Sequence, residues 1–339
     1  MRQLTFLGPG RLEWQEAPAP VLEGPGQALV RPIVATTCDL DRWLISGGAP
    51  APPGPFPLGH EFVAEVLDVG DEVRSVVPGA RVAVPYSISC GECDRCRRGI
   101  TASCTTIPVG AMYGVPVRGQ WGGAMSDVVR VPFADAMLVP LPDAIASTAV
   151  ASLSDNLPDG WRTVAPHLAA RPGAEVLIAG GGAVSISLFA VDVAVGLGAS
   201  RVVFIDEDPE RCTLAARLGA EVRQGPPPAR AGRFPITVDA SGRHAGLHCA
   251  LRSTEPGGVC TSTGIYFEAT TPMPLLEMFT DGVTFVTARA SSRPIIPAIL
   301  DAVADGRIHP ERITSGIVRW DDAIDALLEV PTKLVMERD

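Results

Sequence analysis

Four cysteines lie close together in the first third of the chain. They are Cys90, Cys93, Cys96 and Cys104, separated by two, two and seven other residues. Four thiolates in one compact loop can surround zinc tetrahedrally, with Zn–S distances of about 2.3 Å. Sulfur ligands also suit iron–sulfur clusters, so the spacing leaves both kinds of metal site open. Because the protein would fill every ligand position, the metal would be structural and would contribute on the order of 10 kcal/mol to local folding.

A second, looser set of possible metal ligands precedes this cluster. Gly59-His60-Glu61 follows a proline-rich loop and opens a predicted strand, and Cys38 ends an earlier predicted strand. Thiolate and imidazole are both zinc ligands. Taken alone, a histidine beside a glutamate is as often a capped surface residue, and a lone cysteine is more often a small buried apolar group.

A glycine turn in the second half of the chain has the pattern of a dinucleotide site. Gly180, Gly181 and Gly182 join a short apolar run to an apolar helix, with Ser185 where the third glycine of Gly-x-Gly-x-x-Gly would stand. Asp206 ends the next predicted strand, where a carboxylate accepts hydrogen bonds from ribose and repels a 2′-phosphate. The pattern therefore favours NAD over NADP. A glycine-rich turn in an α/β domain that binds no cofactor is the alternative.

The elements that must position these residues differ between the two halves of the chain. Residues 1–150 contain short strand-like runs separated by turn residues, without long helical periodicity. In residues 151–290, strand-like runs alternate with helical runs, which predicts a parallel sheet with helical crossovers. We therefore expect two domains of the α/β class.

Length and charge exclude several function classes. The chain has 339 residues and a net charge of −10, which suits two domains and argues against nucleic-acid or anionic-membrane partners. The most apolar run, residues 176–199, is interrupted by three glycines and Asp192, so no membrane span is expected. No signal peptide is recognisable, and we expect a cytoplasmic protein in which clustered cysteines bind metal rather than form disulfides.

Together these segments resemble the zinc-dependent medium-chain dehydrogenase/reductase family, the alcohol dehydrogenase superfamily. The matching segments occur in family order: Cys38 with Asp41, Gly59-His60-Glu61, residues 69–73 and 78–82, the four cysteines, Gly122-Gly123 and the glycine turn. The resemblance implies a β-rich GroES-like catalytic domain over residues 1–150, with the tail 291–339 packing back on it. It also implies a Rossmann domain, a doubly wound parallel sheet, over residues 151–290, and an active site in the cleft between the two.

The resemblance also implies a catalytic zinc held by Cys38, His60 and a third ligand. The segment Leu153–Gly160 resembles the Ser-Asp-x-x-Pro-x-Gly segment of the formaldehyde dehydrogenase-like branch, which makes Asp155 the expected third ligand and Asp159 its competitor. Asp41 matches a carboxylate that orients the histidine, and Glu61 matches a glutamate that can approach the metal. With the cysteine cluster, the expectation is two zinc ions per chain.

The expected reaction is hydride transfer between NAD and a small alcohol or carbonyl compound, in a homo-oligomer, either a dimer or a tetramer. Three protein ligands leave zinc one open position for such chemistry. The residues expected to bind the cofactor are Gly180, Gly181, Gly182, Ala183, Val184, Asp206 and Arg211.

Two positions depart from the family pattern. Leu40 stands where a serine or threonine usually relays the substrate proton, and Trp43 stands where a histidine often ends that relay. Leucine has no proton to transfer, and indole only donates hydrogen bonds. Thr36, Thr37, Glu61 or a water molecule are possible substitutes. A different reaction on the same fold, or a non-catalytic binding or sensor role, is the alternative function.

Overall fold

The computed structural model describes residues 1–48, 50 and 52–338, in which the chain forms sixteen β-strands and ten α-helices. The strands are β1 (Arg2–Gly8), β2 (Arg11–Glu16), β3 (Ala28–Thr36), β4 (Phe56–Pro57), β5 (Glu61–Val69), β6 (Arg81–Val84), β7 (Val129–Val131), β8 (Val139–Pro140), β9 (Val176–Ala179), β10 (Val202–Asp206), β11 (Glu221–Gln224), β12 (Phe234–Asp239), β13 (Thr254–Ser262), β14 (Thr284–Thr287), β15 (Gly316–Arg319) and β16 (Leu334–Glu337). The helices are α1 (Asp39–Ser46), α2 (Asp94–Arg97), α3 (Ala134–Met137), α4 (Asn156–Ala170), α5 (Val184–Gly196), α6 (Pro209–Arg217), α7 (His244–Ser253), α8 (Leu275–Asp281), α9 (Ser292–Ala304) and α10 (Ala323–Leu328).

The first compact unit contains residues Met1–Pro158, Ala290–Ala304 and the chain from Thr314 onward. Its larger sheet has the strand order β15-β16-β3-β5-β6-β8, with β7 also paired to β3, and a smaller sheet has the order β2-β1-β4. Buried aromatic side chains from both sheets, including Phe6, Phe56 and Phe62, form its core. Strand β16 runs antiparallel to β3, so the tail of the chain lies beside the end of β3 that precedes Cys38.

The second unit contains residues Asp159–Arg289 and Asp305–Ile313. Its six strands are all parallel, in the order β11-β10-β9-β12-β13-β14. This is a doubly wound sheet whose order reverses at β9, the place where such sheets bind ligands. All four residues of β9 and eleven of the thirteen residues of α5 are buried, which explains why this region is the most apolar of the sequence.

One segment of the tail groups differently from the predicted domain bounds. Residues 305–313 belong to the second unit, whereas the sequence analysis assigned all of residues 291–339 to the first domain. The carboxylate of Asp192 on α5 accepts a hydrogen bond from the His309 amide at 2.8 Å. A side chain at Gly196 would meet the Arg307 carbonyl at 2.0 Å, so this glycine permits the close approach. Among the described residues, none of the helices combines the length and apolar character that crossing a membrane requires.

Candidate active site

Cys38, His60 and Asp155 come together in the first unit. Asp155 Oδ2 lies 3.4 Å from Cys38 Sγ and 3.5 Å from His60 Nε2, and the three atoms lie within 4.8 Å of one another. Tetrahedral zinc with ordinary bond lengths places a sulfur–oxygen pair about 3.5 Å apart and a nitrogen–oxygen pair about 3.4 Å apart. The donor set and its spacing therefore fit zinc.

The hydrogen bonding of His60 supports the same conclusion. Neither ring nitrogen of this buried histidine has a hydrogen-bond partner in the described part of the chain. Buried polar atoms are nearly always paired, because leaving one unpaired costs free energy. Asp41 Oδ1, which is also unpartnered, faces Nδ1 at 3.7 Å, beyond hydrogen-bond distance. A cation between Nε2, the thiolate and the Asp155 carboxylate would satisfy the nitrogen that faces them.

The residues that follow Cys38 in the sequence fix the orientation of its thiol. Cys38 caps the N terminus of α1: its Sγ accepts from the Leu40 amide at 3.4 Å, and its own amide donates to Asp41 Oδ2 at 3.0 Å. Asp41 thus fixes the helix start with one oxygen and faces His60 with the other. Leu40 contributes an amide rather than a hydroxyl at this position.

The electrostatics of the site are those of clustered anions in a buried place. Burial, followed by the charge of Asp155, raises the pKa of the Cys38 thiol well above its usual range. Burial alone would lower the pKa of His60, but the carboxylates of Asp41 and Asp155 reverse this and raise it. Such a set of groups favours a bound cation.

Asp159 does not join this group. It forms an ion pair with Arg162 one helical turn later. The Asp155 side chain is 16% exposed, whereas the His60 side chain is 1% exposed. The site therefore reaches solvent on the side of Asp155.

Lys333 is a residue that the sequence analysis missed. Its ammonium forms an ion pair with Glu61 and donates to the Thr37 carbonyl at 2.5 Å, and both side chains are fully buried. The other Glu61 oxygen accepts a hydrogen bond from the backbone amide of Asn156 at 2.6 Å. Burial raises the pKa of Glu61 to about 8 despite the ammonium. One feature of the sequence sets this residue apart: Lys333 is the only lysine among the 28 basic residues.

The threonines before Cys38 are also engaged. The Thr36 hydroxyl donates to the Leu334 carbonyl at 2.6 Å, and the Thr37 hydroxyl accepts from the Leu334 amide at 3.0 Å. Both side chains therefore attach the end of β3 to β16.

The four clustered cysteines form a second candidate metal centre. Their sulfur atoms lie within 4.8 Å of one another, with 4.0 Å between Cys93 and Cys104. Tetrahedral zinc places its sulfur ligands about 3.8 Å apart. The Cys90 sulfur accepts from Thr106 Oγ1 at 3.0 Å, and hydrogen bonds from Thr105 lower the pKa of Cys93 to about 5. Gly91 has φ of +77°, and a side chain there would meet Ala136 at 2.7 Å, so only glycine fits this loop.

The glycine turn connects β9 to α5 in the second unit. The amides of Gly182 and Ala183 donate to the carbonyls of Ser241 and Ala240 at 2.8 and 2.9 Å, which fixes the turn against the loop after β12. A side chain at Gly180 would come within 2.4 Å of Asp206. Helix α5 begins at Val184, directly after the turn, as a phosphate-binding helix does.

Asp206 and Arg211, both predicted cofactor residues, bind each other. Arg211 Nε donates to Asp206 Oδ2 at 2.9 Å and Nη2 donates to Oδ1 at 2.6 Å. The Asp206 side chain is 1% exposed and that of Arg211 is 19% exposed. The carboxylate predicted to meet ribose is thus held in place by its own arginine.

Comparison with known proteins adds to this geometry. Two family models match, one described as an alcohol dehydrogenase GroES-like domain over residues 24–143 and one as a zinc-binding dehydrogenase over residues 185–305. A probable zinc-binding alcohol dehydrogenase of Mycobacterium tuberculosis is 30% identical over 95% of this chain and 83% of its own length. The chain belongs to the zinc-dependent medium-chain dehydrogenase/reductase family. This confirms the predicted family and, with it, the GroES-like and Rossmann fold classes.

Other members of the family show how far the similarity extends. The alcohol dehydrogenase of Thermus sp. ATN1 superposes with a TM-score of 0.87 and 31% identity over the full length of both chains. A glutathione-independent formaldehyde dehydrogenase of Pseudomonas aeruginosa is 34% identical over 65% of this chain. That match spans 58% of the Pseudomonas protein's length.

Proposed function

We propose that this protein is a zinc-dependent oxidoreductase that transfers hydride between NAD and a small alcohol or carbonyl compound. The observation that carries the proposal is the convergence of Cys38 Sγ, His60 Nε2 and Asp155 Oδ2, with spacing that fits zinc. A set of three protein ligands, unlike a set of four, is typical of catalytic zinc. When bound there, zinc supplies Lewis-acid polarisation of a substrate oxygen.

The residues around this set have distinct parts in the proposal. Asp41 fixes the start of α1 and faces the histidine, so it positions two of the three ligands. Glu61 lies next to the ligands and pairs with Lys333, whose ammonium opposes the effect of burial on the Glu61 pKa. One Glu61 oxygen is bound by Lys333 and the other by the Asn156 backbone amide, so we assign Glu61 a positioning role. Glu61 could accept a proton from the substrate only if one of these two hydrogen bonds broke.

The cofactor assignment rests on the second unit. Asp206 ends the strand beside β9, at the position that meets the adenosine ribose in doubly wound dinucleotide folds. A carboxylate there favours NAD, since it repels the 2′-phosphate of NADP. The four clustered cysteines would hold a second, structural zinc.

A second copy of the chain is the partner that we propose. Helix α8 exposes Leu275, Leu276 and Phe279 by 65%, 78% and 85%, an unusual density of apolar surface. Beside it, β14 lies at the edge of the parallel sheet and carries no charged residue or proline that would block pairing with another strand. A two-fold copy would pair β14 with its own equivalent and cover α8. Sedimentation velocity should show a dimer or larger assembly, and Phe279→Glu should shift it toward monomer.

An alternative function rests on Leu40 and Trp43, which lack the groups of the usual proton relay. A panel of alcohols and aldehydes, with NADH formation or consumption as the readout, distinguishes the two functions. Turnover with at least one substrate, lost in Asp155→Ala, supports the oxidoreductase. Stoichiometric zinc and NAD binding without turnover, unchanged in Leu40→Ser, would favour a binding role or another reaction.

A further inference from the structure

Two loops flank the glycine turn at the carboxyl edge of the parallel sheet. Strand β9 lies between β10 and β12, so the loops after those strands stand on either side of the turn. The close approach of Gly180 to Asp206 and the bond from the Gly182 amide to the Ser241 carbonyl show that the end of β10 and the loop after β12 contact the turn. A dinucleotide on the turn would place its adenosine ribose beside Asp206.

One arginine lies near each of these segments, Arg211 in α6 and Arg243 just before α7, and the two are held differently. Arg211 is mostly buried, makes two bonds to Asp206, and lies 3.4 Å from Asp208. Arg243 is 70% exposed and reaches from the loop after β12 to Glu207, which immediately follows Asp206, at 2.8 Å. An exposed ion pair contributes little free energy, so Glu207 imposes a modest free-energy cost on moving Arg243 to another anion.

We propose that Glu207 is a selectivity residue for the cofactor, because it withholds Arg243 from a 2′-phosphate. Arginine binds phosphate through several donors at once, and an unpaired guanidinium next to the ribose would attract NADP. With Glu207 present, three carboxylates at residues 206–208 face two guanidinium groups, and Arg243 is already paired. Without Glu207 the charges balance, and the more exposed arginine becomes available. This inference rests on the proposed binding of a nicotinamide dinucleotide at the turn.

The test is titration calorimetry of the full chain with NAD and with NADP. Glu207→Gln should lower the ratio of the NADP to the NAD dissociation constant by about three- to tenfold, as expected for one gained, solvent-exposed charge contact. Glu210→Gln is the matched control: it removes the same charge from an exposed residue of the first turn of α6. That variant should leave the ratio within about twofold of the starting value. Adding Arg243→Met to Glu207→Gln should abolish the gain.

Three outcomes overturn the inference. An unchanged ratio in Glu207→Gln, with NAD still bound, refutes the role of Glu207 and leaves the proposed function intact. An equal gain in Glu210→Gln, or a gain that persists after Arg243→Met, shows a general charge effect. If the unaltered chain binds neither cofactor, the proposed function and this inference fall together.

Discussion

Replacing Lys333 with methionine tests the buried ion pair beside the candidate metal site. Methionine keeps an unbranched apolar side chain but removes the charge, the ion pair with Glu61 and the hydrogen bond to the Thr37 carbonyl. The fully buried Glu61 would keep the bond from the Asn156 amide. A buried carboxyl group without its cationic partner would then remain.

The magnitude follows from this burial. Removing one partner of a buried ion pair typically costs about 3–5 kcal/mol of unfolding free energy. Burial already raises the pKa of Glu61 to about 8, and loss of the ammonium would raise it further. The carboxyl would therefore be protonated almost completely at neutral pH, which limits the loss to the lower end, about 3 kcal/mol. The double variant Glu61→Gln/Lys333→Met should be more stable than the sum of the single changes by at least about 1 kcal/mol.

Urea unfolding of the zinc-saturated protein, followed by tryptophan fluorescence, measures these free energies, with Lys333→Arg as the charge-preserving control. Because Lys333 is the only lysine in the sequence, an amine-reactive reagent gives an independent readout by mass spectrometry. It should leave Lys333 unmodified in the folded protein and modify it after unfolding. A loss below about 1 kcal/mol in Lys333→Met, additive single changes, or rapid modification of native Lys333 would show that the Glu61–Lys333 pair is not buried and stabilising as described.

Three further predictions concern separate parts of the molecule. Cys93→Ser should lower the thermal midpoint while leaving kcat per folded molecule within about twofold, because a metal held by four cysteines is structural; a scanning fluorimetry trace equal to that of the unaltered protein would contradict this. NAD should quench tryptophan fluorescence at lower concentration than NADP, since the Asp206 carboxylate repels a 2′-phosphate; equal or reversed affinities would show that Asp206 does not meet the ribose. Burial raises the pKa of Asp192 from its ordinary 3.8 to about 6, so the folded state binds more protons and unfolding free energy should fall as pH rises from about 4 to 6. Asp192→Asn, which keeps an acceptor for the His309 amide, should flatten this fall and raise stability at neutral pH by about 1–3 kcal/mol; an unaltered pH profile in urea unfolding would exclude it.

The candidate sites that the sequence indicates on its own are those marked by a local pattern. The four cysteines lie in one short loop, and Gly180–Gly182 stand between a strand and a helix, so both could be assigned without knowing the fold. The alternation of strand-like and helical runs in residues 151–290 predicts a parallel sheet, and strands β9 to β14 form one.

Contacts between distant segments were not accessible in this way. Lys333 meets Glu61 across 272 positions of the sequence, and this pairing depends on β16 docking against β3. Likewise, residues 305–313 return to the second unit, where the His309 amide donates to the buried Asp192 carboxylate of α5, 117 positions away in the sequence. The family resemblance favours Asp155 over Asp159 as the third ligand, and the structure places Asp155 beside Cys38 and His60 while Asp159 pairs with Arg162.

Elemental mass spectrometry of the protein and of Asp155→Ala, purified from zinc-supplemented medium, measures whether Cys38, His60 and Asp155 hold a zinc ion. We expect two zinc ions per chain, and one in Asp155→Ala, because the four cysteines would keep theirs. Asp155→Asn is the matched control, since it preserves the size of the side chain and an oxygen ligand while removing the charge. This variant should retain between one and two zinc ions per chain. Two zinc ions in Asp155→Ala, one zinc ion in the unaltered chain, or iron in place of zinc would exclude the proposed pair of zinc sites.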